Sequence, residues 1–292
     1  GGTYYILNLI RALNRLPDSK KPTVVLLTEN RKTLQSVKEK TRYPYLDFIK
    51  YPIKLGLLER GINKITSFLG FNVFRNDLRN PSLHLLYPKY PGNIKSDTLA
   101  KINWIPDFQE EFLPDLFTEE QIQGRRKRRK RIAATADLLV FSSKDSQGHF
   151  NDLYPESKAE QFVLHFAVTH PDLSGLDADQ ILNKYQLDRP YYFIPNQFWV
   201  HKDHPTALKA LKQLKQHNSE VLFAFSGKEY DHRSKDYVQQ LKSFVAEEGL
   251  ENNVKFLGFL PRAEQLLILR QSLAVIQPSL FEGWSTVVED AK

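Results

Sequence analysis

The chain has 292 residues, 41% of them hydrophobic, and a formal net charge of +7 at neutral pH. This length leaves room for two domains, and the lack of cysteine excludes disulfides and thiolate metal sites. No apolar run reaches the ~20 residues of a membrane span, and the N-terminus lacks the charged-then-apolar pattern of a signal peptide. Because the chain has no methionine, starts at Gly1-Gly2 and stops within a predicted helix, we expect it to be truncated at both ends.

Apolar strand candidates alternate with segments of helical period along the whole chain. In the first half, we predict a helix after Gly1-Gly2-Thr3, strands at 24–27, 46–51, 83–87, 102–105, 138–141 and 162–164, and a basic helix near 119–135. In the second half, we predict strands at 191–194, 221–225, 254–257 and 273–276, with helices near 205–216, 234–248 and 263–270. This alternation predicts an α/β fold with parallel sheets wound by crossover helices.

The two sets of elements predict two domains. We expect an N-terminal Rossmann-like domain over 1–167, a linker over 168–189 and a C-terminal Rossmann-like domain over 190–292. In doubly wound sheets, ligands bind at the carboxyl ends of strands, where helix N-termini converge. Residues that follow predicted strands are therefore the candidates for a functional site.

The last twelve residues, 281–292, carry the most specific pattern in the chain. We expect the strand before them to end, the chain to turn at Gly283 and a helix to begin at about Ser285. Glu282 and Glu289 then lie on either side of the helix N-terminus, whose free N–H groups and partial positive charge favour phosphate. Since carboxylates accept hydrogen bonds from sugar hydroxyls, the pattern suits a nucleotide sugar. In a simpler interpretation, Thr286-x-x-Glu289 is a capping box, in which Glu289 satisfies the backbone at the helix start.

The order Pro-Ser, two residues, Glu-Gly, then Val-x-Glu-x-Ala resembles the donor-binding signature of the family-4 (group 1) GT-B-fold retaining glycosyltransferases. Six residues separate Glu282 from Glu289, one fewer than in the commoner form of that signature. The resemblance implies GT-B architecture, with two Rossmann-like doubly wound parallel-sheet domains facing across a cleft. It also implies that Glu282 holds the hydroxyls of the donor sugar, that Glu289 holds the ribose, and that Gly283, Ser285 and Thr286 contact the donor.

The loop after the strand at 191–194 contains Asn-Gln-Phe-Trp-x-His-Lys-x-His, which resembles a subgroup of the same family. In the family, an arginine and a lysine of this loop bind the donor diphosphate. Lys202 matches the lysine, which is suited to a diphosphate as a point charge, while Gln197 stands at the arginine position. Taken alone, Lys202 is a solvated loop residue. The cluster at 201–204 also suggests a metal site, but adjacent loop residues seldom converge on one ion, so we expect none.

Two further glycine turns follow predicted strands. By resemblance, Gly227 lies near the donor phosphates, and the backbone of Gly258 and Phe259 contacts the edge of the nucleobase. The simpler interpretation of both segments is an ordinary strand-to-loop turn.

An acceptor and phosphate loop is predicted from the first half of the chain. Gly1 and Gly2 open a helix and would let an oxyanion approach the backbone, although they also fit a flexible end. In the family such glycines follow the first strand, which is missing here. The segment with Asp107, Gln109 and Glu110 resembles one that faces the cleft in the subgroup, where a histidine usually occupies the position of Glu110.

The basic run Arg125–Arg131 lies in the more positive part of the chain. Residues 1–170 hold 27 basic and 18 acidic side chains, against 14 and 16 in the remainder. The run fits a solvated helix face or a peripheral contact with an anionic membrane surface. We expect no nucleic acid partner, because no aromatic residues interleave with the run.

We predict a metal-independent, retaining glycosyltransferase that uses a nucleotide-diphosphate sugar, needs no other cofactor, and acts on a glycan, lipid-linked or small-molecule acceptor. By resemblance, it would serve glycan or cell-envelope polysaccharide synthesis in the cytoplasm, either free or peripheral at the inner face of the membrane. Lys202 and helix N-termini near 283–286 would stabilise charge on the leaving diphosphate, and domain closure would exclude water. The alternatives are a GT-B-fold epimerase or phosphorylase, and a non-catalytic module that binds a nucleotide sugar or an anionic surface.

Overall fold

A computed structural model describes residues 2–51, 56–67, 73, 83–88, 99–166, 168–217 and 219–292. The chain forms two compact units. The first comprises Gly1–Ile105, Arg131–Phe141 and Tyr154–Thr169, and the second comprises Pro106–Lys130, Ser142–Leu153 and His170–Lys292. Two segments that we assigned to the N-terminal domain, 106–130 and 142–153, thus group with the C-terminal residues.

Helices and strands alternate in both units. Up to residue 169 they are α1 (Gly2–Asn14), β1 (Val24–Thr28), α2 (Arg31–Thr41), β2 (Leu46–Lys50), α3 (Leu57–Ser67), β3 (Leu85–Leu86), β4 (Ala100–Ile105), α4 (Gln109–Phe112), α5 (Glu119–Thr135), β5 (Leu138–Phe141), α6 (Lys144–Leu153) and β6 (Glu160–Val163). They continue with α7 (Ala178–Lys184), β7 (Tyr192–Ile194), α8 (His204–Lys215), β8 (Phe223–Phe225), α9 (Tyr237–Glu247), β9 (Val254–Phe256), α10 (Arg262–Gln271), β10 (Ala274–Val275) and α11 (Thr286–Ala291).

All strand pairs of the described residues are parallel. The first unit contains a two-stranded sheet, β1-β2, and a four-stranded sheet in the order β3-β4-β5-β6. The second unit contains a four-stranded sheet in the order β10-β7-β8-β9. The predicted α/β fold with parallel sheets is confirmed, and the apolar runs in the sequence account for each of these strands.

The central strands β7 and β8 of the second unit's sheet are covered on both faces, which explains their uninterrupted apolar sequences. Phe223 and Phe225 of β8 point to one face, where they pack with α8 and α9, while Ala224 points to the other face, with α7 and α10. This alternation is the two-residue period of a strand. Each of the buried phenylalanines contributes about 1.5–3 kcal/mol through burial, so the strand ends that carry the site rest on a rigid base.

Helix α7 lies inside the segment that we predicted as a linker. Its N-terminus is capped by Asp177, whose carboxylate accepts a 3.0 Å hydrogen bond from the backbone N–H of Gln180. Ile181 is buried and packs, together with Leu187, against the sheet of the second unit. The segment from Ala178 onward is therefore part of the folded second unit.

The helices of the described ranges include none with the length and apolarity required to cross a bilayer.

Candidate functional site

Lys202 and Glu282 meet at the carboxyl edge of the sheet in the second unit. Lys202 ends a short 3-10 helix, Val200–Lys202, after β7, and Glu282 follows the neighbouring strand β10. The Lys202 ammonium forms a close ion pair with Glu282 Oε1, to which Gln277 Nε2 also donates at 2.7 Å. The side chains of Lys202 and Glu282 are only 14% and 27% exposed. The two residues predicted to be catalytic therefore lie together, in surroundings that strengthen electrostatic interactions.

A hydrogen-bond chain connects this ion pair to helix α11. Ser285 Oγ donates to Gln277 Oε1 at 2.7 Å and accepts from the backbone N–H of Val288 at 3.2 Å. Through Gln277, the orientation of Glu282 depends on the N-cap of the helix. Gln277 was not among the predicted site residues, although an amide directly after the predicted strand at 273–276 is a signal that could have found it.

Glu289 is not a capping residue. Ser285, and not Thr286, is the N-cap of α11, so Glu289 falls one position beyond the place that a capping box requires. The capping-box interpretation is therefore wrong. The Glu289 side chain is 10% exposed, and its carboxylate accepts from Lys292 Nζ at 2.5 Å.

Two glycines of the site permit close backbone approach. A Cβ at Gly283 would lie 2.2 Å from the carbonyl oxygen of Pro106 and 2.7 Å from Cβ of Asp107. A Cβ at Gly227 would lie 2.2 Å from the carbonyl oxygen of Asn196. Both approaches are shorter than any side chain tolerates, so these positions require glycine for packing against neighbouring loops.

The loops after β7, β8 and β9 are joined by hydrogen bonds. Gln197 Oε1 accepts from the backbone N–H of Lys228 at 3.0 Å, and the N–H of Gly227 donates to the carbonyl of Gly258 at 2.9 Å. Gly258 has a left-handed φ of 67°, which favours glycine, and the side chain of Phe259 is 72% exposed. The predicted donor-binding residues of these three loops thus lie along one edge of the sheet.

Three buried polar atoms at this edge have no hydrogen-bond partner within the described part of the chain. They are Asn196 Nδ2, Ser226 Oγ and Ser279 Oγ. Asn196 lies two residues after β7, Ser226 follows β8 directly, and the two residues are only 2% and 1% exposed. Because buried polar groups are normally hydrogen-bonded, unpaired groups after adjacent strands indicate a place where a polar ligand binds. Sequence reasoning did not select these three residues.

The two histidines of the 201–204 cluster have different surroundings. His201 Nδ1 lies 3.2 Å from Nη2 of Arg233, whereas His204 Nδ1 lies 3.2 Å from the hydroxyl of Tyr237. Burial, followed by the nearby charges of Lys202 and Arg233, lowers the pKa of His201 to about 3. Burial is also the largest cause that lowers the pKa of His204, to about 4. Both imidazoles are therefore neutral at pH 7.

Glu110 is fully buried and paired with helix α5. One carboxylate oxygen forms a close ion pair with Arg129, and the other lies 3.3 Å from Nη1 of Arg125. Arg129 Nη2 also donates to the carbonyl of Asp107 at 2.9 Å. In this structure the Glu110 carboxylate is consequently not presented to an acceptor, contrary to our prediction, because the two arginines sequester it. Its role is to hold the loop that contains Asp107 and Gln109.

The basic run is only partly a solvated face. Arg129 is buried, and Arg126 donates to Glu111 at 2.6 Å. Arg125 and Arg126 are exposed but paired with Glu110 and Glu111, and the other exposed members of the run are Lys127, Arg128, Lys130 and Arg131. Of the predicted glycine loop, Gly1 lies outside the described residues, and Gly2 begins helix α1.

Comparison with known protein families gives a match within the second unit. Residues 178–292 match the family model described as glycosyl transferases group 1. A search among curated proteins gave no match.

Several solved structures share the fold. HepE from Anabaena, in complex with UDP and glucose, is 16% identical with a TM-score of 0.63, over 100% of this chain and 74% of that one. A glycosyltransferase from Rickettsia africae is 12% identical with a TM-score of 0.63, over 100% and 73%. The sucrose-phosphate synthase of Thermosynechococcus elongatus is 19% identical with a TM-score of 0.51, over 65% and 47%. Residues 178–292 thus match the group 1 glycosyltransferases, and the α/β fold of the chain is of the GT-B type.

Proposed function

We propose that the chain transfers a sugar from a nucleotide-diphosphate sugar to an acceptor, with retention of configuration. The observation that carries this proposal is the convergence of Lys202, Glu282 and Gln277 at the carboxyl edge of the sheet. A cation for the diphosphate and a carboxylate for sugar hydroxyls are the two groups that such a donor needs side by side.

Donor binding would exchange partners within this cluster. The diphosphate would take the Lys202 ammonium from Glu282, which then accepts hydrogen bonds from the donor sugar. Asn196 Nδ2 and Ser226 Oγ are buried donors that would gain a partner from a phosphate oxygen. As the glycosidic bond breaks, charge grows on the leaving diphosphate, and a preorganised Lys202 stabilises that charge without reorganisation of solvent.

The nucleoside would extend along the loops after β8 and β9. By family resemblance, Glu289 accepts from the ribose, and the backbone at Gly258 and Phe259 contacts the base. Because HepE was solved with UDP and glucose, a uridine nucleotide is the first donor to test. The donor role of Glu289 gains support from its low exposure and from its position outside the capping box.

The exposed part of the basic run Arg125–Arg131 supports a proposal about location. The exposed side chains of Lys127, Arg128, Lys130 and Arg131 would hold the protein against anionic lipid, each contributing about 1 kcal/mol near the surface. This supports a cytoplasmic protein that is peripheral at the inner membrane face, while a role in glycan or cell-envelope polysaccharide synthesis rests on the family resemblance alone. Sedimentation with vesicles tests it: binding should require anionic lipid and decrease when these four residues are changed to glutamine.

Calorimetric titration with UDP, GDP and ADP tests the donor site, and NMR analysis of the product anomer tests retention. We expect micromolar affinity for one nucleotide, and a product with the anomeric configuration of the donor. Lack of binding by any nucleoside diphosphate to the folded protein would overturn the donor site. Binding without hydrolysis or transfer of any nucleotide sugar would instead favour the non-catalytic module.

A further inference from the structure

A pocket of about 210 Å³ lies next to the proposed donor site, within the second unit. His201, the residue before Lys202, lines it, and so does Gln109, two residues from the Asp107 that approaches Gly283. The other side chains that define this arginine pocket are Phe117, Gln121, Arg125, Trp199, His232 and Arg233. Within the described residues, its lining contains two arginines and no carboxylate.

Both arginines are held by carboxylates buried beneath the pocket. Arg125 Nη1 lies 3.3 Å from Glu110, and Arg233 Nε lies 3.2 Å from Asp231. The side chains of Glu110 and Asp231 are both 0% exposed. Because the carboxylates are covered and the arginines line the pocket, a ligand would meet the cations and not their partners.

An aromatic ring fixes the position of the two guanidinium groups. The Cζ atom of Arg125 lies 4.8 Å from the centre of the Phe117 ring, and that of Arg233 lies 5.7 Å from the same centre. Such cation–π contacts orient a guanidinium while its remaining N–H groups stay available for hydrogen bonds. Trp199, 37% exposed, provides a second ring, 5.9 Å from Cζ of Arg233.

The charges around the arginine pocket do not cancel. Glu110 is shared between Arg125 and Arg129, and Asp231 pairs with Arg233, so three guanidinium groups face two carboxylates. His201 is neutral at pH 7 because its pKa is lowered to about 3, chiefly by burial. These three guanidinium groups and two carboxylates therefore have one net positive charge, which favours an anionic ligand.

We propose that the arginine pocket binds an anionic group, a carboxylate or a phosphate ester, on the acceptor sugar. Arg125 and Arg233 would hold the oxyanion, Gln109 and Gln121 would contact hydroxyls, and the apolar face of the sugar would lie on Trp199. The inference rests on the proposed function and names the acceptor class for that site: an acidic glycan, and not a neutral one.

Calorimetric titration of the full chain, with and without saturating UDP, tests this. The three probes are D-glucuronate, glucose 6-phosphate and glucose. At least one acidic probe should bind about tenfold or more tightly than glucose, because hydrogen bonds to charged groups contribute about 1.5–3 kcal/mol each. Tighter binding of only one acidic probe identifies the anion as carboxylate or phosphate. Equal binding of all three, in a protein that binds UDP, would overturn the inference and leave the donor site intact.

Gln121→Glu is the sharpest variant, because it adds a negative charge to the pocket without breaking an ion pair. Gln121 Oε1 accepts from the N–H of Thr118 at 3.0 Å at the start of α5, and a glutamate preserves that capping contact. Gln123→Glu makes the same charge change on the same helix outside the pocket and serves as the control. Gln121→Glu and Arg125→Gln should each weaken acidic-probe binding by about tenfold, and Gln123→Glu should not. Acidic-probe binding that survives both pocket variants would place the anion elsewhere and refute the assignment.

Discussion

Replacement of Lys202 by methionine tests the central claim about the donor site. A lysine–diphosphate hydrogen bond contributes about 1.5–3 kcal/mol. In the free protein, however, Lys202 already pairs with Glu282, a partly exposed pair that contributes about 1 kcal/mol or less. Binding exchanges one contact for the other, so with the ion pair at about 1 kcal/mol the net loss in Lys202→Met is about 0.5–2 kcal/mol. The dissociation constant for UDP should therefore rise by about two- to thirtyfold.

Calorimetry with UDP and with uridine separates this effect from general damage. Uridine lacks phosphates, so its affinity should be unchanged in Lys202→Met. The matched control is Lys242→Met on helix α9, which breaks a 2.6 Å ion pair between Lys242 and Glu229. This variant should bind both ligands with unchanged affinity. An equal loss for uridine and UDP, or unchanged UDP affinity, would refute the assignment of Lys202 to the diphosphate.

Further predictions concern the carboxylates, a glycine and the buried histidines. Glu282→Gln should tighten UDP binding by up to about fivefold, since it releases Lys202, yet should lower transfer from the nucleotide sugar; weaker UDP binding would contradict the proposed exchange of partners. Glu289→Gln should weaken uridine and UDP alike by about tenfold in calorimetry, and unchanged affinity would remove Glu289 from the ribose site. Gly283→Ala should lower the free energy of urea unfolding by about 1–3 kcal/mol, because its Cβ would collide with a carbonyl, whereas Gly124→Ala, with open space, should raise it by up to about 1 kcal/mol. The pKa of His201 and of His204 lies below 6.5 in the folded chain, so only the unfolded chain takes up their protons. Stability should therefore fall by about 2 kcal/mol for each histidine between pH 7 and pH 5, and His201→Gln should remove about half of that decrease.

The sequence predicted the elements whose signal is local and strong. The central strands of the second sheet could be predicted from the sequence, because both of their faces are covered and β7 and β8 are therefore uninterrupted apolar runs. The meeting of Lys202 and Glu282 was also predictable, since each follows a strand of one parallel sheet. Helices α2 and α3 were not predicted; α2, for example, buries only Leu34, Val37 and Thr41 on an otherwise polar segment.

Long-range pairing was the part that the sequence did not reveal. Glu110 was assigned to the acceptor loop by resemblance, and nothing adjacent to it in the chain indicated its arginine partners. Arg125 and Arg129 stand four residues apart and so share one helix face, which was a usable signal. That spacing did not say which carboxylate the face covers. Likewise, the sequence did not reveal that Ser285, the N-cap of α11, also donates a hydrogen bond to Gln277.

Because Glu110 is buried against helix α5, substitutions of Glu110 and of its arginine partners on that helix are expected to be coupled. Removal of the carboxylate alone would leave two guanidinium groups without their shared counter-ion, and loss of Arg129 would weaken the compensation of a fully covered negative charge, a change that costs about 3–5 kcal/mol in comparable buried pairs. A substitution at either position is therefore expected to require a compensating substitution at the other. If histidine replaces Glu110, for example, Arg129 should change as well, so the two residues should covary among relatives of this protein.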